Sequence, residues 1–182
     1  HMATNTMGAI DRMLANAYED IWITADNETI EHCLAAWQSN RSQKDSVRTM
    51  TDAEIRNALD KLVEKSMLLS KHWYLLDIVD ASGTVIASTY PKHRGLRIND
   101  LSQYKMAFDY AMRGKRYCSD LLISRILNKP TIIISAPVKN PENARQQALG
   151  AVIGNYSWAS VIDALDALQA TVNAELFNKD GK

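Results

Sequence analysis

Strand-like segments follow one another through the middle of the chain, and most of their connections are too short for parallel pairing. These segments are rich in branched and aromatic residues and cover residues 73–79, 84–89, 116–126, 131–138 and 149–156. A crossover between neighbouring parallel strands needs about a dozen residues or more, whereas a turn such as Asp80–Gly83 joins two antiparallel strands. The sequence therefore predicts a five-stranded antiparallel sheet in an α+β domain.

Helical patterns flank the predicted sheet. Apolar residues recur at helical spacing from about residue 6 to residue 38, although Asp26-Asn27 could interrupt the helix. At ~1.5 Å per residue this stretch would reach roughly 50 Å, so we expect part of it to project as a stalk or to pair with another chain. Thr51 and Glu54 form a capping box that predicts a second helix up to about residue 69. Further helices are expected over 102–112 and 157–171.

The charge balance argues against a polyanionic partner. The 182 residues contain 21 Lys and Arg and 21 Asp and Glu, which gives a formal net charge of zero. Nucleic-acid binding needs a basic surface, and the strongest basic run, residues 92–97, is too short to follow a polyanion. The sequence also has no run of ~18 apolar residues, so we expect no membrane-spanning helix within it. His1-Met2 is typical of a cleaved tag, and we expect any membrane segments of the parent protein to have flanked this piece.

Motifs for catalysis and metal binding are missing from the sequence. His32, His72 and His93 lie in different elements without metal-ligand spacing, and no phosphate loop or hydrolase motif is present. We therefore expect no metal, no cofactor and no enzymatic activity. One alternative is a cysteine-dependent enzyme with Cys118 as nucleophile and His93 as its base. Cys33 and Cys118 are expected to be free thiols, with a disulfide between them as the other interpretation.

Four segments form a recognisable series along the chain: residues 80–88, 111–120, 123–138 and 150–154. In this order they resemble the Cache family, the extracellular sensor domains of chemoreceptors, histidine kinases and diguanylate cyclases. The resemblance implies a PAS-like domain with a dimer-forming stalk at residues 1–50 and a sensor module at 51–172. Residues 173–182 would be a linker or the start of a second module, because 174–182 repeats the strand-then-turn pattern of 75–83.

The resemblance also implies a function. We expect the periplasmic or extracellular sensing domain of an inner-membrane receptor, in which a small-molecule ligand shifts the sheet and the short helix. The N-terminal helix, as a possible homodimer contact, would carry this shift across the membrane to a signalling domain. The alternative is a protein interaction module that uses the long helix and treats the sheet as scaffold.

By the same resemblance, the ligand lies in a cavity against the sheet, under the loop and short helix that follow the second strand. The family's amino-acid sensors carry Arg-x-Trp-Tyr on the short helix, Tyr-x-Asp on the third strand and Asp late in the fifth. This chain has residues 105–108, 122–124 and Asn155 there, so two acids are lost and the cation Lys105 is kept. A neutral or acidic ligand, such as a carboxylate, is therefore expected. The candidate ligand-binding residues are Tyr90, Arg94, Tyr104, Lys105, Phe108, Tyr117, Ser124 and Asn155.

Overall fold

An antiparallel sheet lies between two helical layers in this protein. The computed structural model describes residues 2–42, 50–140, 148–163, 165–167 and 170. Three helices precede the sheet: α1 (Met2–Ala25), α2 (Glu28–Ser42) and α3 (Asp52–Leu69). The strands are β1 (Trp73–Asp80), β2 (Val85–Ser88), β3 (Tyr117–Cys118), β4 (Leu122–Ile123), β5 (Pro130–Val138) and β6 (Gly150–Ser157). Helix α4 (Lys105–Met112) follows two 3-10 turns, Pro91–His93 and Ile98–Asp100, and residues 158–163 and 165–167 are helical.

The strand order confirms the predicted antiparallel α+β architecture. The sheet runs β2-β1-β6-β5-β3, with β4 also paired to β5, and every pair is antiparallel. The third predicted strand, residues 116–126, is instead two short strands. Ser119 interrupts it, because its hydroxyl accepts from Ile133 N at 2.8 Å and donates to Asp120 O at 2.7 Å. Such local side-chain bonds compete with the strand ladder.

The N-terminal helical stretch breaks at Asp26-Asn27 and packs against the domain. The Asn27 side chain accepts from Thr29 N at 2.9 Å and so caps α2. Both helices are part of the main core, through buried residues such as Ala17, Ile21 and Trp37. The N-terminal stretch, which was expected to project or to pair with another chain, therefore packs on the same core as the sheet.

The predicted capping box of α3 is confirmed. Thr51 Oγ1 accepts from Glu54 N at 3.2 Å, and Thr51 N donates to Glu54 Oε2 at 2.7 Å. Four-residue spacing then buries Ile55, Leu59 and Val63 on one face, which packs against β1 and β2. The repeat proposed at 174–182 and the end of the last predicted helix lie outside the described residues.

Alternation along the strands assigns each side chain to one of the two layers. On β1, Leu76 and Ile78 belong to the core under α1, α2 and α3, whereas Val79 belongs to a smaller core under α4. On β6, Val152 packs with the first core and Ile153 with the second. Residues 75, 77 and 155 share the α4 side by the same alternation. Among the described helices, none combines the length and apolar character that a membrane span requires.

The hairpin between β1 and β2 is tied to α2 by one aspartate. Asp80 Oδ1 accepts from Ser82 N and Thr84 N, both at 2.9 Å, which shapes the turn. Asp80 Oδ2 accepts from the indole Nε1 of Trp37 at 2.9 Å. Trp37 is buried, and the Arg41 guanidinium stacks 3.5 Å above its ring. One side-chain carboxylate therefore joins the turn to the helical layer.

Candidate functional site

Four polar side chains are buried together on the α4 side of the sheet. Asp77 and Asn155 are 0% exposed, and His93 and Tyr104 are 1% exposed. They come from β1, β6, the Pro91–His93 turn and the residue that precedes α4. We call these four residues the polar cluster. Polar side chains in an otherwise apolar layer need hydrogen-bond partners, so this arrangement marks the candidate site.

Strand pairing and one loop bring the polar cluster together. Leu75 pairs with Asn155 across β1 and β6, which makes Asp77 and Asn155 diagonal neighbours on one face. The loop after β2 folds back over the sheet, because Gly95 adopts a φ of +82° and donates to Val85 O at 2.8 Å. This return places His93 above β1.

Hydrogen bonds divide the polar cluster into two pairs. His93 Nδ1 lies 2.8 Å from Asp77 Oδ2, and the Tyr104 hydroxyl donates to Asn155 Oδ1 at 2.9 Å. The rings of His93 and Tyr104 meet edge to face with centroids 6.2 Å apart, and Tyr90 contacts His93 in the same way at 5.3 Å. The imidazole therefore stands between two tyrosines and is oriented by a carboxylate.

Three atoms of the polar cluster have no hydrogen-bond partner. They are Asp77 Oδ1, His93 Nε2 and Asn155 Nδ2, and among the described side chains the other buried atom of this kind is Asp60 Oδ1, on α3. Leaving a buried polar group unpaired costs about 1–3 kcal/mol. Three such atoms within one cluster indicate a place where another molecule can supply the missing partners.

Burial dominates the electrostatics of the site. It raises the pKa of the Asp77 carboxyl, and the hydrogen bond and charge of His93, together with the nearby Ser88 hydroxyl, lower the pKa in part. Burial and the Asp77 charge raise the pKa of Tyr104 to about 12, against smaller opposing effects of Asn155 and Ser124. The Tyr104 hydroxyl therefore keeps its proton at neutral pH and acts as a donor.

The raised pKa of Asp77 predicts a stability change with pH. An acid whose folded pKa is raised binds more protons in the folded state, so stability falls as pH rises from the unfolded pKa, near 3.9, towards the folded one. We expect Asp77→Asn, which still offers His93 an acceptor, to lose this fall. Urea unfolding between pH 4 and pH 8 measures it, with Asp109→Asn, at an exposed ion pair, as control. Parallel pH curves for wild type and Asp77→Asn would contradict the assignment.

A cavity of about 90 Å³ touches the polar cluster at Tyr104 alone. Gln103 and Arg125 also line it, whereas Asp77, His93 and Asn155 do not. It is smaller than the ~300 Å³ typical of ligand sites, whereas the sequence led us to expect a full ligand cavity here. Tyr104, Ala107 and Phe108 fill the space between the α4 segment and the sheet. The polar cluster is therefore closed to solvent.

The structure brings together some of the residues predicted from sequence. Tyr104 and Asn155 belong to the polar cluster, and the buried Ser124 lies close enough to Tyr104 to affect its pKa. Tyr90 contacts His93 at the edge of the cluster. Phe108 is buried in the same layer, against Gly83 and Ile98. All five residues therefore lie in the layer on the α4 side of the sheet.

Three predicted residues lie elsewhere. Arg94 reaches outwards and its Nη2 pairs with Asp60 Oδ2 at 3.1 Å. Lys105 is 55% exposed and its Nζ lies 2.6 Å from Asp109 Oδ2, one turn along α4. Tyr117 packs on Tyr110, with ring centroids 5.2 Å apart, on the outer side of α4. The cation on which the prediction of an acidic ligand depended is therefore a surface residue.

The candidate residues predicted from the sequence did not include Asp77 and His93, which the structure places in the polar cluster. Asp77 is an acid inside the apolar run 73–79, and a lone carboxylate in such a strand is a signal that could have identified it. His93 lies in an irregular loop, where no spacing rule relates it to β1. The chain therefore has a buried acid on β1, one strand away from Asn155.

Both cysteines are free, as the sequence predicted. Cys118 pairs with Ile134, packs against the core under α1, α2 and α3, and has its pKa raised mainly by burial. His93 lies on the other side of the sheet, against Asp77. A thiolate nucleophile needs a lowered pKa and a nearby base, whereas burial raises the pKa of Cys118 and its proposed base, His93, lies across the sheet. The cysteine-enzyme hypothesis is therefore not supported by this arrangement.

A larger, open groove of about 1020 Å³ lies on the opposite face, between α1, α3 and the start of β1. Its polar lining includes Asp20, which accepts from Ser70 Oγ at 2.9 Å, and lysines such as Lys61 and Lys65 that face solvent. The unpartnered buried atoms found among the described side chains lie outside this groove. We therefore place the candidate site at the polar cluster.

Comparison with solved structures relates the fold to bacterial sensor domains. No protein-family model matches the chain, and a comparison with curated proteins found no match. The sensor domain of the V. cholerae histidine kinase DctB matches with a TM-score of 0.65 and 10% identity over 88% of this chain and 55% of that chain. The Campylobacter jejuni chemoreceptor Tlp3 domain in complex with L-norvaline gives 0.61 and 10%, over 90% and 59%. The E. coli DcuS sensor domain gives 0.56 and 12%, over 85% and 96%.

The coverage differs between these structures. The chain spans a little over half of the DctB and Tlp3 domains but nearly all of the DcuS domain. At these identities the likeness concerns the fold, which agrees with the strand order and the two helical layers described above. The chain therefore has the α+β fold of the Cache-type, PAS-like sensor domains.

Proposed function

We propose that this chain is the extracytoplasmic ligand-sensing domain of a bacterial transmembrane signalling receptor and that it binds a small molecule at the polar cluster. The observation that carries the proposal is the set of three unpartnered atoms on Asp77, His93 and Asn155, buried under α4. The structural neighbours are sensor domains of a histidine kinase and of chemoreceptors, and several of those chemoreceptor structures contain amino-acid ligands. A role in binding rather than catalysis fits both.

The packing supports a route from the site to the N-terminal helix. Strands β5 and β6 contact α4 on one face and α1 on the other. A ligand alters the receptor to the extent that it has different affinities for the two states of the domain. If the segment around Tyr104 opened, the packing of α4 on β5 and β6 would change. Helix α1 packs on the other face of the same strands, so its position would change with them. A signalling domain and a membrane anchor elsewhere in the parent protein belong to this proposal.

A thermal-shift screen with small polar metabolites tests the proposal. A ligand at 100 times its Kd stabilises the native state by about 2.7 kcal/mol, which raises the melting temperature measurably. We expect a hit to lose its shift in Asn155→Ala and to keep it in Asn40→Ala, an amide on α2 that bonds to Met50 O and Asp52. A hit that stabilises both variants equally binds elsewhere. If no metabolite shifts the wild-type melting temperature, the proposal fails.

A further inference from the structure

The chemistry of the unpartnered atoms restricts the kind of ligand that the proposed site accepts. Asp77 Oδ2 is engaged by His93 Nδ1 at 2.8 Å, and the hydroxyl of Ser88, the residue opposite Asp77 on β2, also favours the ionised carboxyl. Among the described residues, Asp77 Oδ1 is fully buried and makes no direct hydrogen bond. Wherever the shared proton lies between Oδ2 and Nδ1, Oδ1 keeps its lone pairs and acts as an acceptor. With the proton on Nδ1 of a neutral ring, His93 Nε2 is an acceptor as well. Asp77 Oδ1 therefore requires a hydrogen-bond donor.

Charge favours a cationic donor over an anionic ligand. Burial disfavours the ionised form of Asp77, so a positive group beside it would be stabilising and a negative one repelled. The cations of the segments that cover the site are all exposed: Lys92, Arg94, Arg97, Lys105 and Arg125. Two of them, Arg94 and Lys105, are already paired with other carboxylates. Among the described residues, a ligand carboxylate would meet Asp77 without a buried lysine or arginine to bind it.

The other side of the site offers a donor. Asn155 Oδ1 accepts from the Tyr104 hydroxyl at 2.9 Å, which orients the amide so that Nδ2 and its two hydrogens remain free. An uncharged oxygen, such as a hydroxyl or a carbonyl, accepts from an amide N–H without adding negative charge near Asp77. A ligand that satisfies both sides therefore combines an amine with a neutral acceptor.

We infer that the site binds a small organic amine, with the amine N–H groups on Asp77 Oδ1 and a neutral oxygen of the same ligand on Asn155 Nδ2. This inference rests on the proposed function and replaces the expectation of a neutral or acidic ligand. It names the chemical class and leaves the carbon skeleton to experiment. The ion pair and hydrogen bond to Asp77 would be formed away from water, where charge-assisted bonds are strong.

Matched compounds that share a carbon skeleton provide the test. We would titrate the amino alcohols and amino-acid amides of alanine, valine, leucine and phenylalanine by calorimetry, beside the α-hydroxy acids of the same skeletons. We expect binding among the amino alcohols or amides and none among the α-hydroxy acids. Asp77→Asn should weaken the amine by ~10- to 100-fold, the range for a lost bond to a charged group. Asp60→Asn, the same change at a carboxylate outside the site, should leave the affinity unchanged.

A second control changes the ligand instead of the protein, so it does not require a variant protein to fold. The N-trimethylated form of the best amine keeps the positive charge but has no N–H, and we expect it to lose binding to the wild-type protein. Tight binding of an α-hydroxy acid or dicarboxylate, unaffected by Asp77→Asn, would overturn the inference and leave the sensing function standing. Absence of binding by every amine also overturns it. The proposed function fails separately, if the wider metabolite screen finds no ligand.

Discussion

Trp37→Ala is expected to lower the free energy of unfolding by about 3–5 kcal/mol, the range for removal of a buried aromatic side chain. Trp37 is 1% exposed, so its truncation leaves a cavity between α2 and the sheet. It also removes the indole donor at 2.9 Å from Asp80 Oδ2 and leaves that buried carboxylate with an unpaired oxygen. Urea unfolding followed by circular dichroism measures the change.

Two further variants separate the contributions. Trp37→Phe keeps most of the apolar volume and removes the hydrogen bond, so we expect a smaller loss of about 1–3 kcal/mol. Trp22→Ala is the matched control, because Trp22 is half-buried and stacks under the exposed cations Arg116 and Lys139. If Trp37→Ala lowers the free energy of unfolding no more than Trp22→Ala does, the Trp37–Asp80 contact does not stabilise the packing of α2 against the sheet.

Gly150→Ala is expected to destabilise the protein by about 3 kcal/mol or more, because overpacking against backbone cannot relax by a change of rotamer. A Cβ at Gly150 would collide with the Val79 carbonyl oxygen on the paired strand and would lie 3.2 Å from Asp80 Cα. Both atoms are held by the β1–β6 ladder, in which Gly150 faces Asp80. The expected result is a large fall in melting temperature, measured by differential scanning calorimetry.

The control for this substitution has the opposite expected sign. Gly8 lies within α1, and a Cβ there would meet Arg12 Nη1 at 3.8 Å, an ordinary van der Waals contact. Alanine is favoured over glycine inside a helix by up to about 1 kcal/mol, so Gly8→Ala should stabilise the protein slightly. Equal effects of the two substitutions would contradict the close approach of β1 and β6 at Gly150.

Local signals in the sequence predicted much of the fold. The capping box at Thr51 and the turn at Asp80–Gly83 each depend on residues a few positions apart, so their elements were placed within a few residues. The surface on which the N-terminal helix packs was not predictable in this way. An amphipathic pattern shows that a face is buried but not against what, and here the sheet, rather than a second chain, buries Ile21 and Trp37.

The site was predicted only in part for a related reason. Asn155 and Ser124 were predicted as ligand-binding residues because they are polar residues in apolar strands, and both are buried near Tyr104. The Asp77–His93 contact joins residues 16 positions apart through a loop whose path no periodicity describes. The orientation of Lys105 was equally beyond the pattern, because helical spacing allows it to reach either the ligand or Asp109.

Neighbouring residues of β6 face opposite sides of the sheet. Asn155 faces the polar cluster, whereas Tyr156, the next residue, is buried in the core beneath α1. One layer of β-strands thus separates the two cores, and the peptide unit that joins the two residues is planar. One covalent link therefore separates Asn155, at the polar cluster, from Tyr156, on which the helical layer of α1 packs.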